Sequence, residues 1–282
     1  MTTGEIRIDA LLPPEMAQRA EYLGVRKAEA PPLATFTLAV LAGAFISLGA
    51  VFATTVAAGA SGVVPYGIVR LLAGLVFTVG LVLVIVGGAE LFTGNNLIVM
   101  AWAGRKVSTG ALLRNWAIVY VGNFAGAIGT TLLVFASRQY TFGGGSVGAA
   151  ALATAASKVE YGFFQAVALG VLCNALVCLA VWLTFSARST IDRIAAIILP
   201  IAAFVAAGFE HSIANMYFIP IGLFIKGFDP AFTAASGVDV SGLTWPSFLI
   251  ANLLPVTLGN IIGGAVLVAA VYWFVFLHRS ET

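Results

Sequence analysis

His211 is the side chain in this sequence best suited to chemistry. It sits in Gly208-Phe209-Glu210-His211-Ser212-Ile213-Ala214-Asn215, a polar island inside an apolar segment that runs from Arg193 to Lys226. An imidazole exchanges protons near neutral pH and donates or accepts hydrogen bonds according to its state. A second island, Gly88-Ala89-Glu90-Leu91-Phe92-Thr93-Gly94-Asn95, lies in the apolar segment between Arg70 and Arg105 and repeats the spacing of a Glu followed five residues later by an Asn. Ionisable groups at such depth in hydrocarbon are costly and belong against a protein-lined cavity. Two islands of one design point to one site, on the path of a small polar or ionisable solute.

The remaining reactive side chains exclude most enzymes. The chain has 2 histidines, and His278 falls at the end of the last apolar segment, where an interfacial place suits it. A single membrane imidazole makes neither a metal cluster nor a haem pair. Cys173 and Cys178 neither match C-x-x-C nor share a helix face, and they read as two buried free thiols. No cofactor or metal is expected, and a membrane-embedded oxidoreductase or hydrolase would lack its ligands or its nucleophile and base. His211 also admits a purely structural role at a helix break. Glu90 and Glu210, with Asn95 and Asn215, read as structural polar groups that cap half-helices and satisfy loop amides. Lys158 suits either a lysine reaching to the membrane interface or a cation that concentrates anions at a pore mouth.

What must position these groups is a membrane domain. Hydrophobic residues make up 60% of the 282 and charged residues 9%, outside the range of soluble domains. Residues 1–32 form a polar cytoplasmic arm, 33–277 one transmembrane domain and 278–282 a cytoplasmic tail. The arm begins with no cleavable signal peptide. After Pro13-Pro14 it predicts a short helix with Met16, Ala20 and Leu23 on one face, either an interfacial anchor or a gating segment. No basic cluster points to nucleic acid. Simple spans are predicted at Leu33 to Ala58, Asn115 to Ser137, Tyr161 to Ala187 and Ser247 to Leu277. The 34 residues between Arg70 and Arg105 carry Glu90 as their only charge. A straight helix of that length would run about 51 Å at 1.5 Å per residue, so this segment breaks between Gly87-Gly88 and Gly94-Asn95. The segment from Arg193 to Lys226 breaks at its own island. Non-helical backbone at that depth is tolerated only under cover of protein or a lined cavity. Ten of the 14 Lys and Arg fall on the side of the N-terminal arm and four opposite, which predicts a multi-pass inner-membrane protein with both termini cytoplasmic.

An internal repeat runs through the spans. Asn115-x6-Gly122-Asn123-x2-Gly126 recurs as Asn252-x6-Gly259-Asn260-x2-Gly263, and Glu90-x4-Asn95 recurs as Glu210-x4-Asn215. Three spans per half make the halves insert with opposite topology, an all-α membrane fold of two inverted three-helix repeats whose second and fifth helices are broken. Gly122-x3-Gly126 and Gly259-x3-Gly263 allow close helix approach, within the chain or between subunits.

Gly88 to Gly94, Asn115-Trp116-x4-Val121-Gly122-Asn123, Asn174-x2-Val177 to Trp182, Gly208 to Asn215 and Asn252 to Gly264 together closely resemble the formate/nitrite transporter family, over about Ile8 to Arg279. Leu11 to Ala17, Arg188-Ser189-x2-Asp192 and Ile219-Pro220 look most like its formate channels, whereas Glu90 to Gly94 also looks like its nitrite branch. The resemblance implies an aquaporin-like six-helix protomer in the lipid bilayer, assembled as a homopentamer, with formate as substrate and a possible cytoplasmic regulator at the arm. It implies a central His211 with Thr93 as its hydroxyl partner, Asn174 and Asn260 as polar neighbours and Lys158 as the vestibule lysine. Leu81 and Phe204, with Phe77 and Val177, would form an outer constriction, and Leu91 and Phe92 an inner one. Nitrite, hydrosulfide or lactate are alternative substrates. A neutral-solute pore of aquaporin type would carry Asn-Pro-Ala at both breaks, where this chain has Leu91-Phe92-Thr93 and His211-Ser212-Ile213. A bare carboxylate crosses apolar slits only at high cost. Desolvation favours its neutral acid, so His211 is read either as a proton donor or as a cationic well.

Overall fold

The computed structural model describes residues 10–278, and every element in it is helical. Six helices are long and apolar enough to cross a membrane: α2 (Pro32–Ala57), α3 (Tyr66–Gly87), α5 (Thr109–Ala136), α7 (Phe163–Thr184), α8 (Thr190–Ala207) and α11 (Ser247–Phe276). They are joined by α1 (Pro13–Glu29), α4 (Val99–Ala103), α6 (Ser146–Lys158), α9 (Ser212–Phe228) and α10 (Pro230–Ala235). The tail beyond His278, with Arg279, and the arm before Ala10 lie outside the described residues.

Both expected breaks are present. α3 stops at Gly87, Gly88 turns the chain in the left-handed region at φ 77°, and helical structure resumes as a tight turn at Gly94–Ile98 followed by α4. α8 stops at Ala207, Gly208 turns it at φ 79°, and α9 starts at Ser212. Only glycine adopts this conformation without a steric penalty at a helix end. α6 was not expected from the sequence. It is a 13-residue helix, too short and too rich in alanine to stand out as a span, and it buries Ala151, Leu152 and Ala155.

The small-residue motifs serve contacts within the chain. A Cβ placed on Gly126 would lie 1.9 Å from the Val40 carbonyl oxygen of α2, and one on Gly263 would lie 2.2 Å from the Val171 carbonyl of α7. So α5 lies against α2 and α11 against α7 at near backbone contact. α1 folds back onto the protein with Met16, Ala17, Ala20 and Ala28 buried. Arg114 donates to the Ala28 carbonyl at 2.8 Å, and Lys106 pairs with Glu21.

Replacing Gly126 with Ala is expected to push α2 and α5 apart and to cost about 1–3 kcal/mol. Gly129→Ala on the same helix meets nothing within 4 Å and serves as the control. Thermal unfolding in detergent, followed by size-exclusion chromatography, compares the two.

Candidate functional site

Each break is held by a four-residue cluster, and four bonds recur in both, although Lys27 also donates to Asn95 at 3.0 Å where Asn215 Oδ1 is unpartnered among the described residues, and Asn252 also donates to Glu210 at 3.3 Å. Lys27 on α1 pairs with Glu90 at 2.7 Å. The Asn95 amide donates to Glu90 at 2.7 Å and to Asn115 at 2.9 Å, and Asn115 donates to the Lys27 carbonyl at 3.0 Å. At the second break, Lys158 pairs with Glu210 at 2.6 Å, Asn215 donates to Glu210 at 2.7 Å and to Asn252 at 2.8 Å, and Asn252 donates to the Lys158 carbonyl at 2.7 Å. A second pair of asparagines ties down the backbone. Asn123 accepts from the Phe92 amide and donates to the Ala39 and Glu90 carbonyls. Asn260 accepts from the Ser212 amide and donates to the Gly170 and Glu210 carbonyls.

This assigns the carboxylates differently from the expectation of amide caps. Their oxygens take a lysine ammonium and an asparagine amide, while the N-cap of α9 is His211 itself, whose Nδ1 accepts from the Ala214 amide at 3.1 Å. A neutral ring that accepts at Nδ1 carries its proton on Nε2. That nitrogen lies 3.0 Å from Thr93 Oγ1, so the two broken segments meet through these two polar side chains. Asn174 donates to the Thr93 and Asn260 carbonyls at 3.3 and 2.7 Å, and the Cys178 thiol lies 3.3 Å from the Thr93 carbonyl. Ser212 Oγ is buried and unpartnered among the described residues.

Two cavities approach this contact from opposite ends of α8. The first, about 350 Å³, is lined by Lys27, Glu90, Leu81, Leu91, Arg19 and Arg193. The second, about 90 Å³, is lined by Lys158, Arg70, Phe77, Phe204, Phe218 and His211. Leu81 lies with Leu91 on the first cavity, because four residues beyond Phe77 it is about 6 Å further along α3. Phe77 and Phe204 stay together on the second, their ring centroids 5.7 Å apart, with Phe204 stacked at 5.8 Å on His211. Phe92 packs edge-on against Tyr120 and Trp116 at 4.9 and 5.9 Å and lines neither cavity, and neither does the buried Val177. Lys27, Arg70 and Asn123 were missed as site residues. The Asn123/Asn260 match flagged the last of these, whereas nothing in the sequence ties Lys27 to Glu90 across 63 positions.

Six membrane-length helices around an enclosed polar contact, approached from both ends, define a membrane transport protein. The chain belongs to the formate/nitrite transporter family, whose model matches residues 14–274. Its members are transporters and not enzymes. The chain is similar to the formate channel FocA of Escherichia coli (strain K12), 47% identical over 277 residues and 97% of each chain. It is 41% identical over 261 residues to formate channel FocA of Haemophilus influenzae (strain ATCC 51907 / DSM 11121 / KW20 / Rd), covering 91% of this chain and 92% of that one. A solved structure described as a pentameric formate channel with formate bound superposes with a TM-score of 0.82 at 46% identity, over 87% of this chain and 98% of that one.

Glu210 is 1% exposed, so Lys158→Met, which strands its carboxylate, is expected to destabilise the protein by about 3–5 kcal/mol. Lys27→Met should cost less, since that lysine side chain is 34% exposed. Adding Glu210→Gln to Lys158→Met should recover most of the loss. Melting temperatures of the three variants in one detergent check the order.

Proposed function

We propose that this protein conducts formate and similar small monovalent anions across the bacterial inner membrane, with His211 and Thr93 as the central polar site. The observation that carries the reading is the buried Thr93–His211 contact at 3.0 Å, with His211 on the wall of one cation-lined cavity and Leu91 and Gly94, the neighbours of Phe92 and Thr93, on the wall of the other. The similarity to formate channels selects formate within that class. The reading includes a homopentamer, each protomer with its own path, built from inverted aquaporin-like halves. It places residues 1–32 and 278–282 in the cytoplasm, with the 33–277 domain between them, so the first cavity opens inward and the second outward. α1, which presents Lys27 to Glu90, makes the arm a regulator of the inner mouth.

A neutral ring whose Nδ1 accepts from the Ala214 amide offers an anion a hydrogen-bond donor at Nε2. To act as an acid it must first take a proton on Nδ1, which sets two donors against each other at the Ala214 amide. Proton transfer and movement at the start of α9 are therefore linked. An anion that accepts a proton here crosses the apolar slits as a neutral acid and avoids the cost of desolvating a charge.

His211→Asn separates the two roles. Its side-chain oxygen replaces Nδ1 as the cap, while its shorter amide gives up the bond to Thr93, so the pore should assemble and still pass anions. What should disappear is formate uptake driven by a pH gradient. Thr93→Val, which removes one hydrogen bond worth about 1 kcal/mol, should slow flux about fivefold and leave the pH response. Stopped-flow uptake into proteoliposomes, with the purified mass checked for a pentamer, reads both. An assembled Asn variant as sensitive to the pH gradient as wild type would remove His211 from proton exchange.

A further inference from the structure

The second cavity holds two cations, and only one has its charge neutralised. Lys158 is bound at 2.6 Å to Glu210, with its side chain 13% exposed and its ammonium 5.4 Å over the Phe218 ring. Arg70 lines the same cavity. Among the described residues it has no carboxylate within ion-pair distance, and its bonds go to neutral acceptors: Nη2 donates to the Val205 carbonyl and Nε to the Ala206 carbonyl at 3.3 Å. Those are carbonyls of the last turn of α8, just ahead of Gly208, and the Val205 carbonyl also accepts from the Gly208 amide at 3.1 Å. A carbonyl bond keeps a guanidinium in place without cancelling its charge. Among the described residues, no carboxylate lines this cavity.

We propose that Arg70 is the uncompensated charge that draws anions into the second cavity and sets how readily they are captured there. Lys158 and Glu210 act to an approaching anion as a dipole, whose field falls off faster than that of a single charge. Arg70 acts as a fixed monopole at the wall of a narrow, low-dielectric cleft, the geometry that concentrates counter-ions. The first cavity follows the same rule. Lys27 is neutralised by Glu90, while Arg19 donates to the Phe185 carbonyl at 3.0 Å and brings a surplus charge. The inference rests on the anion-conducting reading above.

Two substitutions separate capture from bracing. Arg70→Gln keeps a donor for a carbonyl and removes the charge. Arg70→Lys keeps the charge and loses the fork that spans two carbonyls. Formate uptake by reconstituted vesicles is measured against concentration at low and high ionic strength. The Gln variant should raise the half-saturating concentration about three- to tenfold at low ionic strength, with the difference shrinking below about twofold at high salt. The Lys variant should stay within about twofold of wild type at both. An assembled Gln variant with wild-type half-saturation and salt response overturns the inference, and so does a Lys variant shifted as far as Gln. If the Gln variant fails to assemble, the Lys variant decides: a retained salt response supports capture by charge and a lost one overturns it. Wild-type vesicles that pass neither formate, nitrite nor hydrosulfide would overturn this inference and the functional reading together. Wild-type flux with an unshifted Gln variant overturns this one alone.

Discussion

A chain that leaves the helix in the middle of a bilayer frees backbone amides and carbonyls where no water can answer them. In this protein the answer comes from asparagine. Asn123 and Asn260 each meet one backbone amide and one carbonyl at a break and a second carbonyl on a neighbouring helix, and Asn115 and Asn252 reach back to a lysine carbonyl. An amide side chain presents both donors and an acceptor, so one residue satisfies groups of either kind without bringing charge into the hydrocarbon. The carboxylates do require charge, and each is closed by a lysine from a helix outside the spans. The polar contact between Thr93 and His211 exists because both breaks are held open in this way.

Most of the fold was legible in the sequence. Overlong apolar runs interrupted by Gly87-Gly88 and by Gly208 gave both breaks, since length and glycine placement are one-dimensional signals. Glu90, Asn95, Glu210 and Asn215 stood out because polar residues are rare in such runs. Lys27, Arg70 and the third dimension of the constrictions were not legible. A lysine in a polar arm looks like any other until α1 folds back, and an arginine at the start of α3 looks like an interfacial anchor until its carbonyl partners on α8 are known. Leu81 and Phe77 share a helix face, and only the position of α1 and α8 shows that they look into different cavities.

The glycine motifs were ambiguous for a related reason. Small-x3-small spacing specifies close approach without naming the partner. Here the partner is inside the chain, α2 for α5 and α7 for α11, and the approach is close enough that backbone oxygens occupy the space of a side chain. That leaves the outward faces, rich in exposed Leu and Phe such as Leu133, Leu199 and Phe274, to meet lipid or a neighbouring subunit.

The order of residues within each cluster bears on how the chain is made. In both halves the lysine comes first, the glutamate and its asparagine next, and the closing asparagine last, as Lys27, Glu90, Asn95 and Asn115 and again as Lys158, Glu210, Asn215 and Asn252. A nascent chain therefore offers its broken segment to the membrane before the group that completes the network has left the ribosome. Each network is complete only once Asn115 of α5, or Asn252 of α11, is in place beside its broken segment.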